Sequence, residues 1–195
     1  MRKAFFITSL LSFFSLNTLA DTQLSLMGSL NYNVPDTNDI EYIEDDESGA
    51  GFGLGMRALM GINDQLAFRS GAGIVQKRFN YSINGDSKKG ELDFDYTYIN
   101  IPLTFYWKAS SQVGFFFGTA LYAKLDDSCD GTGDFKSCTP NDPQSIMLPA
   151  ILGFSFNLTE KVGAEISYEH GLTDTAKDVK VSTAVLSLLY HFDQN

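Results

Sequence analysis

The chain has 195 residues, 44% of them hydrophobic and 13% aromatic, only 19% charged, with a formal charge of −10. An acidic chain repels phosphate, which argues against nucleic acid as a partner, and two cysteines are too few for a disulfide scaffold. Beyond the first twenty residues no apolar run approaches the roughly 18–20 residues of a membrane-spanning helix.

Residues 1–20 carry a basic start (Arg2, Lys3), an apolar stretch and Thr18-Leu19-Ala20 as a small-residue cleavage site. This is the pattern of a secretory signal peptide cut between Ala20 and Asp21. The segment holds two of the 14 basic residues and none of the 24 acidic ones. Residues 21–195 are then one exported domain with 12 basic against 24 acidic residues. Such an aromatic-rich chain suits either a secreted β-sandwich or an outer-membrane β-barrel.

From there apolar residues recur at every second position, the period of a strand. Leu24, Leu26, Leu30 and Tyr32 mark the first strand; Phe52, Leu54, Met56 and Met60 the second; Leu66, Phe68, Ala72 and Ile74 the third. Ile99, Ile101, Leu103, Phe105 and Trp107 follow, then Phe115, Phe117, Leu121 and Leu125. A sixth strand runs unbroken from Ile146 to Leu158, a seventh holds Val162, Ala164, Ile166 and Tyr168, and Ala184 to Phe192 closes the series. The alternate positions are mostly Gly, Ser and Asn, which suit the crowded inside of a narrow barrel, while the apolar phase suits lipid. Arg57, Arg69, Glu165 and Glu169 all share the small-residue phase. Connections at 62–65, 108–112 and 159–161 are short, and those at 35–48, 82–91, 126–144 and 172–178 are long. Short turns on one side and long loops on the other are the layout of an outer-membrane barrel. The fold class expected is all-β: an eight-stranded antiparallel transmembrane β-barrel.

Tyr98-Ile99-Asn100-Ile101-Pro102-Leu103 and Tyr168-Glu169-His170-Gly171-Leu172-Thr173-Asp174 resemble strand motifs of the small outer-membrane β-barrel domain family, the OmpA/OmpX-like eight-stranded barrels. Leu186 to Phe192 resembles the family's terminal strand. The resemblance implies residence in the outer membrane of a Gram-negative bacterium, contact with its lipid and lipopolysaccharide, and recognition of Tyr190 and Phe192 by the barrel-assembly machinery. Its motifs specify a fold more than a function.

Arg57, Arg69, Glu165 and Glu169 are expected to form a lumen charge network, with Glu165 pairing Arg57 or Arg69, because isolated buried charges are very costly. Cys129 and Cys138 are expected to form a disulfide in an oxidising compartment; closing so small a ring restrains the unfolded loop by roughly 3 kcal/mol. Asp126, Ser128, Asp130 and Asp134 around Gly131 match part of a calcium loop, but Ser137 stands where a bidentate Glu is needed; a solvated acidic loop is the plainer reading. Asp36, Asp39, Glu41 and Glu44 to Glu47 make the first loop acidic, suited to bridging cations or steering a basic extracellular protein partner. Tyr106, Trp107, Tyr190 and Phe192 on one side, and Tyr32, Phe52 and Tyr168 on the other, read as aromatic girdles. His170 falls on the lipid phase, whereas Ser167 and Glu169 point to the lumen, so no acyl-transfer triad is legible.

Phe79, Tyr81, Ile83, Leu92, Phe94 and Tyr96 extend the third and fourth strands beyond the span a bilayer needs, on the lumen phase. They are expected to pack over the barrel mouth, with a partner site or a bulge that turns them outward as alternatives. The function expected is a structural or adhesin-like surface role through acidic loops, without catalysis or cofactor. A lipid A-modifying enzyme and a narrow ion channel are the alternatives.

Overall fold

The computed structural model describes residues 22–36, 43–84, 89–135, 145–175 and 179–192. The expected signal peptide lies outside them. Alternation is realised as nine strands: β1 (Thr22–Asp36), β2 (Ile43–Gly61), β3 (Leu66–Asn84), β4 (Lys89–Lys108), β5 (Val113–Gly131), β6 (Ile146–Met147), β7 (Pro149–Asn157), β8 (Val162–Gly171) and β9 (Lys180–His191). All neighbours pair antiparallel, and β1 pairs with β9 from Ser25–His191 to Asp36–Lys180, so the sheet closes on itself. β6 and β7 lie end to end along β5, which makes eight staves from nine segments.

The break in that sixth stave corrects the expectation of one strand from Ile146 to Leu158. Pro149 has no N–H to give the ladder. The backbone of Leu148 turns instead to the β8 side, where its carbonyl accepts from the Leu172 N–H at 3.1 Å and its own N–H donates to Thr173 Oγ1 at 3.0 Å. Thr119 Oγ1 donates to the stranded Pro149 carbonyl at 2.7 Å.

The three short turns share one device. Asn63 Oδ1 accepts from the N–H groups of Gln65 and Leu66, Ser110 Oγ from Gln112 and Val113, and Thr159 Oγ1 from Lys161 and Val162. A short polar side chain thus takes over the backbone's hydrogen bonds where each hairpin reverses.

The wall is inside out relative to a water-soluble protein. Leu30 is 66% exposed and its neighbour Asn31 is 4% exposed. On β3 the outward residues from Leu66 to Ile74 are apolar except Ser70, about 25 Å of strand, the height of a lipid-facing band. Above Ile74 they become Gln76, Arg78 and Asn80. β3 and β4 stay paired from Gln76–Thr97 up to Asn84–Lys89, and β5 follows β4 as far as Leu92–Gly131. These strands therefore rise above the membrane as a ribbon, joined by the start of β2. Half of the expected first loop is thus strand, because β2 begins at Ile43; Asp39 and Glu41 lie outside the described residues.

Besides a register slip between Ile43 and Asp45 at the start of β2, two irregularities shape the ribbon. β2 and β3 part between Ser48 and Gly53, and there side chains of β1 replace the ladder. Asn31 Nδ2 donates to the Gln76 carbonyl at 3.0 Å and Asn33 Nδ2 to the Arg78 carbonyl at 3.2 Å. On β5 the register slips between Lys124 and Asp126, leaving Leu125 as a bulge. The bulge exchanges the two faces of β5, so Leu125 and Asp126 are both exposed.

At Gly71 the φ angle is 155° and a Cβ would lie 2.1 Å from the Met56 carbonyl oxygen of β2. Gly71→Ala is expected to cost about 2 kcal/mol, read as a lower urea midpoint of the refolded barrel. The folded protein should still migrate differently on a gel before and after boiling, because a closed barrel leaves no backbone group free to start melting.

Candidate functional site

The lumen is built in layers. In the lower layer, nearest the short turns, Arg69 of β3 donates to Glu165 of β8 in a buried ion pair. Its Nη1 also donates to Thr104 Oγ1 at 3.3 Å, and its guanidinium stands 4.0 Å from the centroid of the Phe116 ring. Arg57 of β2 lies within electrostatic reach of Arg69, Glu165 and Glu169, yet its buried Nε and Nη1 have no partner. Of the four charged residues expected to form one network, Arg69 and Glu165 meet directly, and Arg57 touches neither carboxylate.

The next layer holds Glu169, and the residue that binds it was not foreseen. Lys77 Nζ donates to Glu169 Oε2 at 3.0 Å and to Thr183 Oγ1 at 2.9 Å. Tyr122 Oη donates to the same carboxylate at 2.8 Å, and Thr183 passes the network on to Asn33 Oδ1 at 3.1 Å. Lys77 shares the odd phase of Arg69 on β3, so alternation alone could have found it.

Above Tyr122 the lumen is filled by rings. Tyr122 meets Tyr98 edge-on at 5.8 Å, Tyr98 stacks on Tyr96 at 6.1 Å, and Tyr96 stacks on Phe79 at 5.6 Å and on Phe94 at 6.1 Å. Tyr96, Tyr98, Phe79 and Tyr81 are all buried. The six projecting apolar positions thus include a packed cap, not a free apolar face, and the bulge lies in β5, leaving the β3 and β4 aromatics turned inward. Tyr96 sits above Ile99, the last apolar outward residue of β4; burial, then the charge of Asp127, push its phenol above the ordinary value.

The ribbon's outer face is acidic. Asp95 Oδ2 accepts from Arg78 Nε at 2.8 Å and from Gln76 Nε2 at 2.6 Å, while Glu91, Asp93, Asp126 and Asp130 are exposed. This placement corrects the calcium-loop reading. Asp126, Ser128 and Asp130 lie on one face of an extended strand, spread over about 13 Å, and Asp134 is in a separate 3-10 turn, Gly133–Phe135. Among the described residues no three His, Cys, Asp or Glu side chains converge on a metal position. Cys129 is disulfide-bonded, and Cys138 lies outside the described residues.

The aromatic girdles need one correction. Trp107, Tyr190, Phe192, Tyr32, Phe52 and Tyr168 are outward and exposed, but Tyr106 is buried and faces the lumen, because it is one residue out of phase with Trp107. On the lipid side His170 Nδ1 contacts Ser182 Oγ at 3.1 Å across β8 and β9. No carboxylate joins that pair from the neighbouring position: Glu169 points inward, held by Lys77 and Tyr122. His191 of β9 is inward, with Ser25 Oγ 2.7 Å from its Nδ1.

Lys77→Met should cost about 3–5 kcal/mol, because Glu169 is left as an uncompensated buried charge. The double variant Lys77→Met, Glu169→Leu should recover most of that loss, since it removes both charges. Urea unfolding of the two variants in detergent checks the difference.

Comparison with known proteins adds the family. The model of the outer membrane protein beta-barrel domain matches residues 6–192. No curated protein matches the chain. Among solved structures, the attachment invasion locus protein Ail of Yersinia pestis, in complex with the heparin analogue sucrose octasulfate, is similar with a TM-score of 0.50 at 15% identity, over 88% of this chain and 99% of that one. Neisserial surface protein A gives 0.46 at 16% identity, over 87% and 97%. OprG from Pseudomonas aeruginosa gives 0.46 at 15%, over 87% and 96%. With an apolar belt around a closed ring and a family match over nearly all its length, this chain belongs to the outer membrane protein beta-barrel domain family and is an integral protein of the Gram-negative outer membrane.

Proposed function

We propose that the protein is a surface-interaction barrel whose working part is the ribbon of β2 to β5, offered to basic partners outside the cell. The observation that carries this reading is the division of labour in the ribbon. Its inner face is spent on a packed aromatic column, which makes it stiff, while its outer face displays Glu91, Asp93, Asp126 and Asp130. A stiff surface on which carboxylates outnumber Arg78 steers partners of opposite charge. A heparin-like polyanion, the class of ligand bound to Ail in its crystal, meets the wrong charge here. Lipopolysaccharide contact falls to the lipid-facing belt, and Tyr190 and Phe192, both exposed at the end of the last strand, are the groups offered to the barrel-assembly machinery.

The alternatives have less support. A channel needs a wet lumen, whereas Tyr98, Tyr96 and Phe79 fill this one above the ion pairs. A lipid A-modifying enzyme needs a carboxylate behind its histidine, and the carboxylate next to His170 belongs to Lys77.

Cells displaying the barrel should adhere to a poly-lysine surface and not to a heparin-coated one, with adhesion falling as salt rises. Neutralising Glu91, Asp93, Asp126 and Asp130 to their amides should reduce retention about threefold or more, with heat-modifiability unchanged. Equal retention of both forms counts against the ribbon. Lipid A mass spectra should be identical with and without the gene.

A further inference from the structure

The interior of the barrel carries an unbalanced charge. Arg57, Arg69 and Lys77 face two carboxylates, Glu165 and Glu169, around a common void of about 30 Å³. Arg69 is taken by Glu165 and Lys77 by Glu169. Arg57 is the remaining cation, and its buried Nε and Nη1 have no hydrogen-bond acceptor. An uncompensated charge enclosed by a bilayer-spanning wall is strongly disfavoured.

A second void, of about 40 Å³, lies below and is also lined by Arg57, Arg69 and Glu165. Three observations make this lower void a place for an anion. Its charged lining is Arg57, Arg69 and Lys108 against the single carboxylate Glu165. His191, only 9% exposed, holds Ser25 at Nδ1 and leaves a buried Nε2 without a partner. In the tautomer whose Nδ1 accepts from the Ser25 hydroxyl, Nε2 carries the proton and is one more donor in a residue that lines the same void as Arg57. Gly163 leaves room for the ring, since a Cβ there would lie 2.9 Å from His191 Nε2.

We propose that the lower lumen is a binding site for one small monovalent anion of halide size, held by Arg57 and His191 and entering past Lys108 from the side of the short turns. Size sets the class: at ~10–15 Å³ per water-sized group the void of about 40 Å³ takes about three such groups, which admits a halide with residual water and excludes organic acids larger than formate. The aromatic column above Tyr122 closes the other end, so the ion visits and does not cross. The site is independent of the surface role proposed for the ribbon.

The test uses the protein refolded in detergent. At equal ionic strength, chloride or bromide should raise the thermal midpoint saturably over gluconate, which is too large to enter, by about 3–5 °C. Arg57→Met should abolish the difference between the salts. Crystals grown in bromide should show an anomalous peak beside the Arg57 guanidinium, a reading that does not depend on the variant folding. Identical midpoints in the two salts, a salt effect that survives in Arg57→Met, or bromide crystals whose lower lumen holds water alone would each overturn the proposal.

Discussion

Hydrocarbon offers no hydrogen bonds, so every N–H and C=O within the lipid band must find its partner in the protein. Ring closure between β1 and β9 is the answer on which everything else rests. It removes both edges at once, and below the Leu125 bulge it sorts the side chains of each stave into two populations. One population meets lipid and is apolar. The other is confined to a tube eight strands wide, which side chains fill. Places where the ladder is interrupted show the same constraint acting locally. Asn31, Asn33, Thr119 and Thr173 each lend a side chain to backbone groups that the ladder leaves out.

Alternation made the wall legible in advance because period two is a direct imprint of which face a residue occupies. It also put Arg57, Arg69, Glu165 and Glu169 in the lumen. What it left open was which of the two arginines Glu165 meets. Glu165 reaches Arg69 across the tube, a contact 96 residues apart in the chain that depends on the shear between distant staves. Glu169 meets Lys77 by the same route. Tyr106 and Phe192 are both aromatic and both near a turn, yet only phase separates a lumen residue from a girdle residue. The Leu148 break was readable from Pro149, since a missing donor in mid-stave needs a local remedy.

The lumen divides its chemistry by level. Near the turns it is charged and holds small voids; farther out it is packed with aromatic rings. Glu169 stands at the boundary, bound by an ammonium group from one side and by the phenol of Tyr122 from the other. Because Tyr122 is both the last ring of the column and a donor to the ion pair, the rigid ribbon is coupled to the charged floor through a single side chain. Lys77 reinforces the joint by lying 4.6 Å from the centroid of that ring.

The bulge at Leu125 has a consequence for inheritance. Tyr98 pairs with Lys124 and Thr97 with Asp126, so the loss of one codon at Leu125 would restore a regular register and leave every residue beyond it on its present face, whereas the loss of a second, at Lys124, would turn the strand beyond it by half a turn. Asp126, Ser128 and Asp130 would then face the column of Tyr96 and Phe94, and Asp127 and Cys129 would face outward. Point substitutions on the outer face alter one group at a time and leave the column intact. A lineage can therefore revise the acidic surface residue by residue and can give up the one bulged residue, but it cannot shorten β5 by two without dismantling the support beneath it.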